Sequence, residues 1–234
     1  MTLSISERIE PTDTSFVFDK DESRHLIKVL RKTEGENVYI SDGKGHLFHS
    51  VIAVANEKKC LVNILKVEKK TKDRNFHLHI AIAPTKLNDR YEWFLEKAVE
   101  IGIDEITPII CKNSERKVIK KDRMKKIIHA AVKQSLQAYV PKFNDAIALD
   151  TFLNQQKGSQ KFIAHCEDEK NKKFLQDLVK PKNDVLILVG PEGDFTPKEI
   201  EKSINLDFIP ISLGKNRLRT ETAGVYITSL MTLI

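Results

Sequence analysis

From residue 14 to residue 67 the apolar positions fall in short β-branched and aromatic runs: 14–18, 37–41, 46–54 and 61–67. Runs of that length and composition predict strands. Asp42-Gly43-Lys44-Gly45 separates two of them and reads as a hairpin turn. One helix interrupts, in DESRHLIKVLRK (21–32). Leu26, Ile27, Val29 and Leu30 make its apolar stripe, and Arg24, Lys28, Arg31 and Lys32 lie largely off it. The region reads as a small β-barrel carrying one helix. EKKTKDRN (68–75) has no apolar residue and reads as a linker. Two domains are expected, 1–72 and 73–234.

Beyond residue 75 strands and helices alternate. FHLHIAIA (76–83) is a strand stopped by Pro84. DRYEWFLEKAVEIG (89–102) predicts a helix with Trp93, Phe94, Lys97, Ala98 and Ile101 near one side, ended by Gly102. EITPII (105–110) is a short strand, and residues 120–139 predict a long helix ended by Pro141. KFIAHC (161–166) and DVLILVG (184–190) are continuous apolar runs, suited to a parallel sheet buried on both faces. The second domain therefore reads as α/β.

Composition narrows the picture. With 234 residues, 41% hydrophobic, the chain can bury a sizeable core and is neither disordered nor collagen-like. No apolar run reaches the roughly 18 residues of a membrane helix, and the start lacks an apolar leader segment. Cys60, Cys111 and Cys166 are few and scattered, which fits a cytoplasmic protein without disulfides. The net charge is +6, and residues 112–126 alone hold eight basic and two acidic residues, an excess equal to that of the whole chain. Such a run is either a solvated face or a surface for phosphates.

Two C-terminal segments carry chemistry. In DVLILVGPEGDFTPKEI (184–200) a strand meets a Gly/Pro turn and a helix start. Thr196 as N-cap, Pro197 at N1 and Glu199 at N3 form a capping box, and Phe195 with Ile200 can form a hydrophobic staple. The turn Gly190–Gly193 then sits at the carboxyl end of a buried strand, where open α/β sheets bind ligands. It is equally an ordinary tight turn on spacing alone. In ISLGKNRLRTETAGVYITSLMTLI (211–234), a strand ends at Leu213-Gly214. Arg217, Arg219, Thr220, Glu221 and Thr222 then crowd ahead of an apolar helix, 221–234. One capping group suffices for a helix start, so the surplus points to a site. No Walker loop, dinucleotide fingerprint or hydrolase elbow is present. His77 and His79 read as structural residues, not metal ligands, and Cys166 beside His165 reads as core and not as a nucleophile.

GPEGDF (190–195) followed by SLGKNRLRTETA (212–223) resembles the RsmE family of ribosomal RNA methyltransferases in the SPOUT superfamily. SRHLIKVLR (23–31), DGKG (42–45), residues 86–109 and AAVKQS (130–135) extend the resemblance over almost the whole chain. It implies a PUA-like RNA-binding barrel followed by an α/β domain tied in a deep trefoil knot, a rare exception to unknotted chains. It also implies a homodimer with S-adenosylmethionine as cofactor, no metal and no membrane. The reaction implied is methylation of N3 of a uridine in 16S rRNA or the small ribosomal subunit.

The expected cofactor contacts are Leu188, Gly190, Glu192, Gly193, Leu213, Gly214, Leu218 and Thr220. Uracil N3 must lose its imide proton to attack a methyl group. Arg219 and Arg217 are the candidates to stabilise the resulting anion, and Glu221, or else Glu192, is the candidate to take the proton. The expected RNA contacts are Arg24, Lys28, Arg31, Lys86, Arg116, Lys120, Lys121 and Lys125. The sequence departs from the usual family pattern at Asp194, where Gly is common, at Lys133 and Gln137, where Glu and Arg are common, and over its first 13 residues. Two other readings stay open: a non-catalytic RNA-binding protein with a degenerate knot domain, and an α/β enzyme using the Gly190 turn for phosphate.

Overall fold

A computed structural model describes residues 2–72, 74–156, 160–167, 172–180 and 183–233. Backbone contacts separate two units: Met1–Lys72 with Val132–Val140, and Asp73–Ala131 with Pro141–Ile234. Asp73, in the expected linker, and Ile234, at the end of the expected last helix, lie outside the described residues.

The first unit holds β1 (Leu3–Ile5), β2 (Ser15–Val17), β3 (Asn37–Ser41), β4 (His46–Val54) and β5 (Leu61–Lys69), in one sheet ordered β1-β3-β4-β5-β2. Alternation puts Val38 and Ile40 of β3, Phe48 and Ile52 of β4 and Val62 of β5 into one core with Leu26. The β3–β4 turn is the one expected. Gly43 and Gly45 adopt φ of 74° and 107°, open to glycine without strain, and the Asp42 carboxylate accepts from the Lys44 and His46 amides at 2.7 and 3.0 Å. A side chain on Gly45 would strike the Tyr139 ring. Residues 132–140 close over this turn, with Ser41 Oγ donating to the Ala138 carbonyl at 2.8 Å and the Val140 amide to the Gly43 carbonyl at 2.9 Å.

The single helix expected over 21–32 is instead two pieces. α1 (Lys20–Arg24) is capped by Asp19, and a π-helical turn, His25–Val29, follows. The Leu30 amide reaches back five residues to the His25 carbonyl. A π turn takes up an extra residue, so the apolar stripe loses its face. Leu26 stays fully buried, while Val29 and Leu30 are 64% and 41% exposed.

The second unit is a parallel sheet with helices. In chain order it holds β6 (Leu78–Ile82), α2 (Asn88–Ile101), β7 (Glu105–Ile110), α3 (Lys121–Ser135), β8 (Lys142–Phe143), β9 (Ile147–Ala148) and α4 (Leu149–Gln155). Next come β10 (Gln160–Ala164), β11 (Lys173–Phe174), α5 (Leu175–Leu178), β12 (Val185–Val189), α6 (Pro197–Asn205), β13 (Ile209–Ser212) and α7 (Thr220–Met231). The last residues of α3 group with the first unit. The sheet order is β11-β13-β10-β12-β6-β7-β8, with β9 paired to β7, and its pairings are parallel. All five residues of β12 are buried, as its unbroken apolar run requires.

Several helical details differ from expectation. The buried side of α2 is Tyr91, Phe94, Leu95, Ala98 and Val99, whereas Trp93 is 44% exposed. α3 stops at Ser135, four residues short, because Leu136 turns left-handed at φ 58°. α7 buries Ala223, Gly224, Ile227 and Met231. A Cβ on Gly224 would come within 2.5 Å of the Phe94 ring, so this glycine lets α7 lie close against α2. Among the described residues no helix is long and apolar enough to cross a membrane.

Candidate functional site

Strands β12, β10 and β13 are neighbours, so their carboxyl ends open side by side. Beyond them the chain leaves the sheet through Gly190-Pro191-Glu192, His165-Cys166-Glu167 and Leu213-Gly214, and these segments wall a cleft of about 720 Å³. The 217–220 loop and Ala223 close a further side. This is the carboxyl-end crevice where open α/β sheets take ligands, and its volume lies in the range of small-ligand sites, roughly 300–1,000 Å³.

Each wall is held by identifiable bonds. At the Gly190 turn, the Asp194 amide donates to the Pro191 carbonyl at 2.9 Å. The helix that follows has the full capping box: Thr196 Oγ1 accepts from the Glu199 amide at 3.4 Å, and Glu199 Oε2 accepts from the Thr196 amide at 2.8 Å. Phe195 and Ile200, the expected staple residues, are both buried in one core cluster. The Lys86 amide donates to Glu192 Oε1 at 2.9 Å. At the other helix start, α7 has no side-chain cap. Thr220 instead turns its hydroxyl to the Gly190 carbonyl, at 2.9 Å, and so ties the two loops together. Gly214 has φ 135°, and a Cβ built there meets nothing within 4 Å. It therefore faces open space in a conformation that side chains avoid.

The expected site residues separate into two groups. Gly190, Glu192, Leu213, Gly214, Leu218, Thr220, Arg217 and Arg219 line the cleft. Both arginines are exposed and have no ion-pair partner among the described residues. Leu188 lies within the buried sheet, and Gly193 sits against Asn113, which donates to its carbonyl at 3.0 Å; neither lines the cleft. Glu221 is buried behind it. Its Oε1 lies 3.9 Å from Arg90 Nε, and its Oε2 has no hydrogen-bond partner.

The basic residues separate as well. Arg24, Arg31, Lys120 and Lys125 are exposed. Lys28 pairs with Glu57 at 2.9 Å, Lys86 with Glu115 at 2.8 Å and Lys121 with Asp145 at 2.7 Å. Arg116 donates to the Thr85 and Lys86 carbonyls, at 3.2 and 2.7 Å, and braces the loop ahead of α2. His77 bonds Glu105 and His79 bonds Thr107, and among the described residues no cluster of three metal-binding side chains occurs.

A model of the RNA methyltransferase domain matches residues 72–232, and one of the RNA methyltransferase PUA domain matches residues 18–65. Ribosomal RNA small subunit methyltransferase E of Buchnera aphidicola is 31% identical over 93% of this chain and 88% of its own length. The protein of that name from Mesomycoplasma hyopneumoniae is 34% identical over 77% of this chain and 79% of its own. The chain belongs to the ribosomal RNA small subunit methyltransferase E family. Two solved structures are similar throughout, each at a TM-score of 0.90. A protein described as a probable rRNA-methyltransferase, from Porphyromonas gingivalis, is 39% identical and covers 100% of this chain and 98% of its own. The methyltransferase E of Neisseria gonorrhoeae, solved bound to S-adenosylmethionine, is 25% identical and covers 100% of this chain and 97% of its own.

For a methyltransferase E the third wall of the cleft is the part that sequence reading passed over. Cys166, expected in the core, is exposed. β10 ends at Ala164, so residues 165 and 166 stand past the strand at the sheet's open end. Partial burial, and then the negative charge of Asp194, push the Cys166 thiol up, while Arg217 opposes them. Lys172 and Asp194 also line the cleft. The apolar run KFIAHC hid this wall, since it gives no sign of where the strand stops.

Proposed function

We propose that this chain transfers a methyl group from S-adenosylmethionine to N3 of a uridine in small-subunit ribosomal RNA. Membership in the methyltransferase E family supports the reaction, and the cleft at the ends of β10, β12 and β13 carries the assignment of the site. S-adenosylmethionine, when bound, supplies an electrophilic methyl group on a sulfonium. The residues present suit it. Its adenine and ribose would lie against the Gly190 and Leu213-Gly214 turns and Leu218, which line the cleft. Its charged amino-acid end needs both signs of charge, and the cleft offers Glu167, Glu192 and Asp194 against Lys172.

Arg219 and Arg217 stabilise the uracil imide anion. Their guanidiniums are uncommitted, so their charge is available to the substrate without first breaking a salt bridge. Of the two carboxylates considered, Glu192 lines the cleft and Glu221 does not, which favours Glu192 as acceptor of the imide proton. Glu221 then acts from behind, through Arg90 and the start of α7. Arg24, Arg31, Lys120 and Lys125 contribute charge toward RNA phosphates, Lys28, Lys86 and Lys121 do so by exchanging their carboxylate partners for phosphate, and Arg116, held by two backbone carbonyls, has an architectural role. A trefoil knot and a homodimer complete the reading. Trp93 on α2 and Tyr226 on α7 are 44% and 43% exposed, large apolar surfaces of the kind a second copy covers.

The test is mass mapping of 16S rRNA after small subunits lacking the modification are incubated with the purified protein and S-adenosylmethionine. One added methyl on one uridine N3 is the expected result. RNA binding without methyl transfer would support the non-catalytic reading instead, and sedimentation of the purified protein tests the dimer.

A further inference from the structure

Asp194 is one of four non-glycine residues with positive φ among the described residues, at 59°. A left-handed turn at this position needs only a small residue, and glycine fills it at no steric cost. The aspartate does something glycine cannot. Its Oδ2 accepts from the amide of Cys166, 28 residues away, at 2.7 Å, and its Oδ1 accepts from the amide of Phe195 at 2.8 Å. Its own carbonyl and that of Gly193 accept from Asn113 Nδ2 at 3.1 and 3.0 Å, and Phe195 next to it is buried in the core. The carboxylate is thus held from several directions, and it reaches from one cleft wall to the other. It lines the cleft together with Cys166.

We propose that Asp194 is a positioning residue of the cofactor cleft: its carboxylate ties the end of β10 to the Gly190 turn, and its fixed negative charge makes the cleft prefer the cationic methyl donor over the product with a neutral sulfur. This rests on the reading of the cleft as the S-adenosylmethionine site. The two parts follow from different properties of one group. The tie needs two acceptor oxygens, since two amides point at it. The preference needs the charge, because donor and product differ chiefly by the methyl group and the positive sulfur it creates. Methyl transfer removes that positive charge, so the same carboxylate helps the product leave.

Two substitutions separate the parts. Asp194→Asn tolerates the left-handed turn but loses the charge and keeps only one acceptor oxygen. Asp194→Gly keeps the turn and loses both. The measurements are calorimetric affinities for S-adenosylmethionine and S-adenosylhomocysteine, and the alkylation rate of Cys166 with and without S-adenosylmethionine. Cys60 and Cys111 are buried, so the exposed Cys166 reports selectively. In wild type, S-adenosylmethionine slows the alkylation. In both variants affinity for the donor falls more than affinity for the product, so their ratio drops at least threefold, and Cys166 reacts faster without cofactor, most in Asp194→Gly. Matching melting curves establish that Asp194→Asn is folded. An unchanged donor-to-product ratio, with Cys166 still protected in wild type, overturns the role of Asp194 and leaves the cleft in place. No protection of Cys166 in wild type removes the cleft as the cofactor site, and this inference with it.

Discussion

The two helices that begin on the cleft, α6 and α7, start in opposite ways. α6 has a complete capping box, proline at its first position and buried apolar residues on either side of the cap. Its cap is closed by Thr196 and Glu199 on each other's amides, and the other Glu199 oxygen accepts from the Lys112 amide at 2.8 Å. α7 has Arg219 at its N-cap position with no capping bond, and Glu221 at the second helical position with one oxygen unpartnered. Arg217 and Arg219 remain exposed at the cleft. The first start is built for stability. The second leaves charge and hydrogen-bonding capacity unspent, the arrangement expected of groups whose partner is a substrate. The bond from Thr220 Oγ1 to the Gly190 carbonyl ties the start of α7 to the turn that leads into the well-anchored α6.

The contrast breaks most sharply at Arg219. Its replacement by alanine removes charge that acts mainly as the uracil anion develops, so turnover falls by about 10²-fold or more while cofactor affinity barely moves. Single-turnover methylation and calorimetry on the same preparation check both halves. A defect confined to cofactor affinity would place Arg219 in the pocket and not in the chemistry. Gly214→Val comes next. A Cβ there meets no protein atom within 4 Å, but the valine must hold φ 135° at the cleft. Affinity for S-adenosylmethionine is expected to fall tenfold or more, which corresponds to about 1.4 kcal/mol, with a circular dichroism spectrum like that of wild type. Unchanged affinity would remove the Leu213-Gly214 turn from the site.

The same contrast explains what was legible in the sequence. The α6 start could be read residue by residue, because caps and staples are local and each residue type has one evident partner. The strands at 37–41 and 46–54 and the turn between them were legible for the same reason. The α7 loop showed its surplus of polar groups, but not that Glu221 folds behind the cleft while the arginines face it. That depends on how closely α7 lies on α2, which Gly224 and Phe94 set from 130 residues apart. The β10 wall was hidden, since it is part of the cleft only through strand order. The π turn at 25–29 was missed because the same apolar spacing suits an ordinary helix.

Thr220→Val sharpens the link between the two starts. Valine keeps the shape and removes the hydroxyl, leaving the buried Gly190 carbonyl without its Thr220 partner. A loss of about 1–3 kcal/mol in stability follows from an unsatisfied buried group, measured by urea unfolding. Cofactor affinity should fall along with it, because the bond spans two cleft walls. A stability loss with unchanged affinity would mean that the two loops are placed independently.

Thr196→Ala should give the smallest effect, and it tests the stability half of the contrast. The hydroxyl accepts from the Glu199 amide and donates to Glu199 Oε2 at 2.8 Å, so its loss opens the capping box on one side while Glu199 can still bond the backbone amide of residue 196. The cost of an N-cap is typically about 1 kcal/mol, and in a chain of this length that lowers the melting temperature by about 2–4 °C. Turnover and cofactor affinity should stay at wild-type values below the transition. The cap acts on α6, whose start is also secured by Phe195 and Ile200 in the core, so the Gly190 turn keeps its place. If Thr196→Ala instead lowered affinity as much as Gly214→Val, α6 could no longer be separated from the site, and the division of labour between the two helix starts would fail.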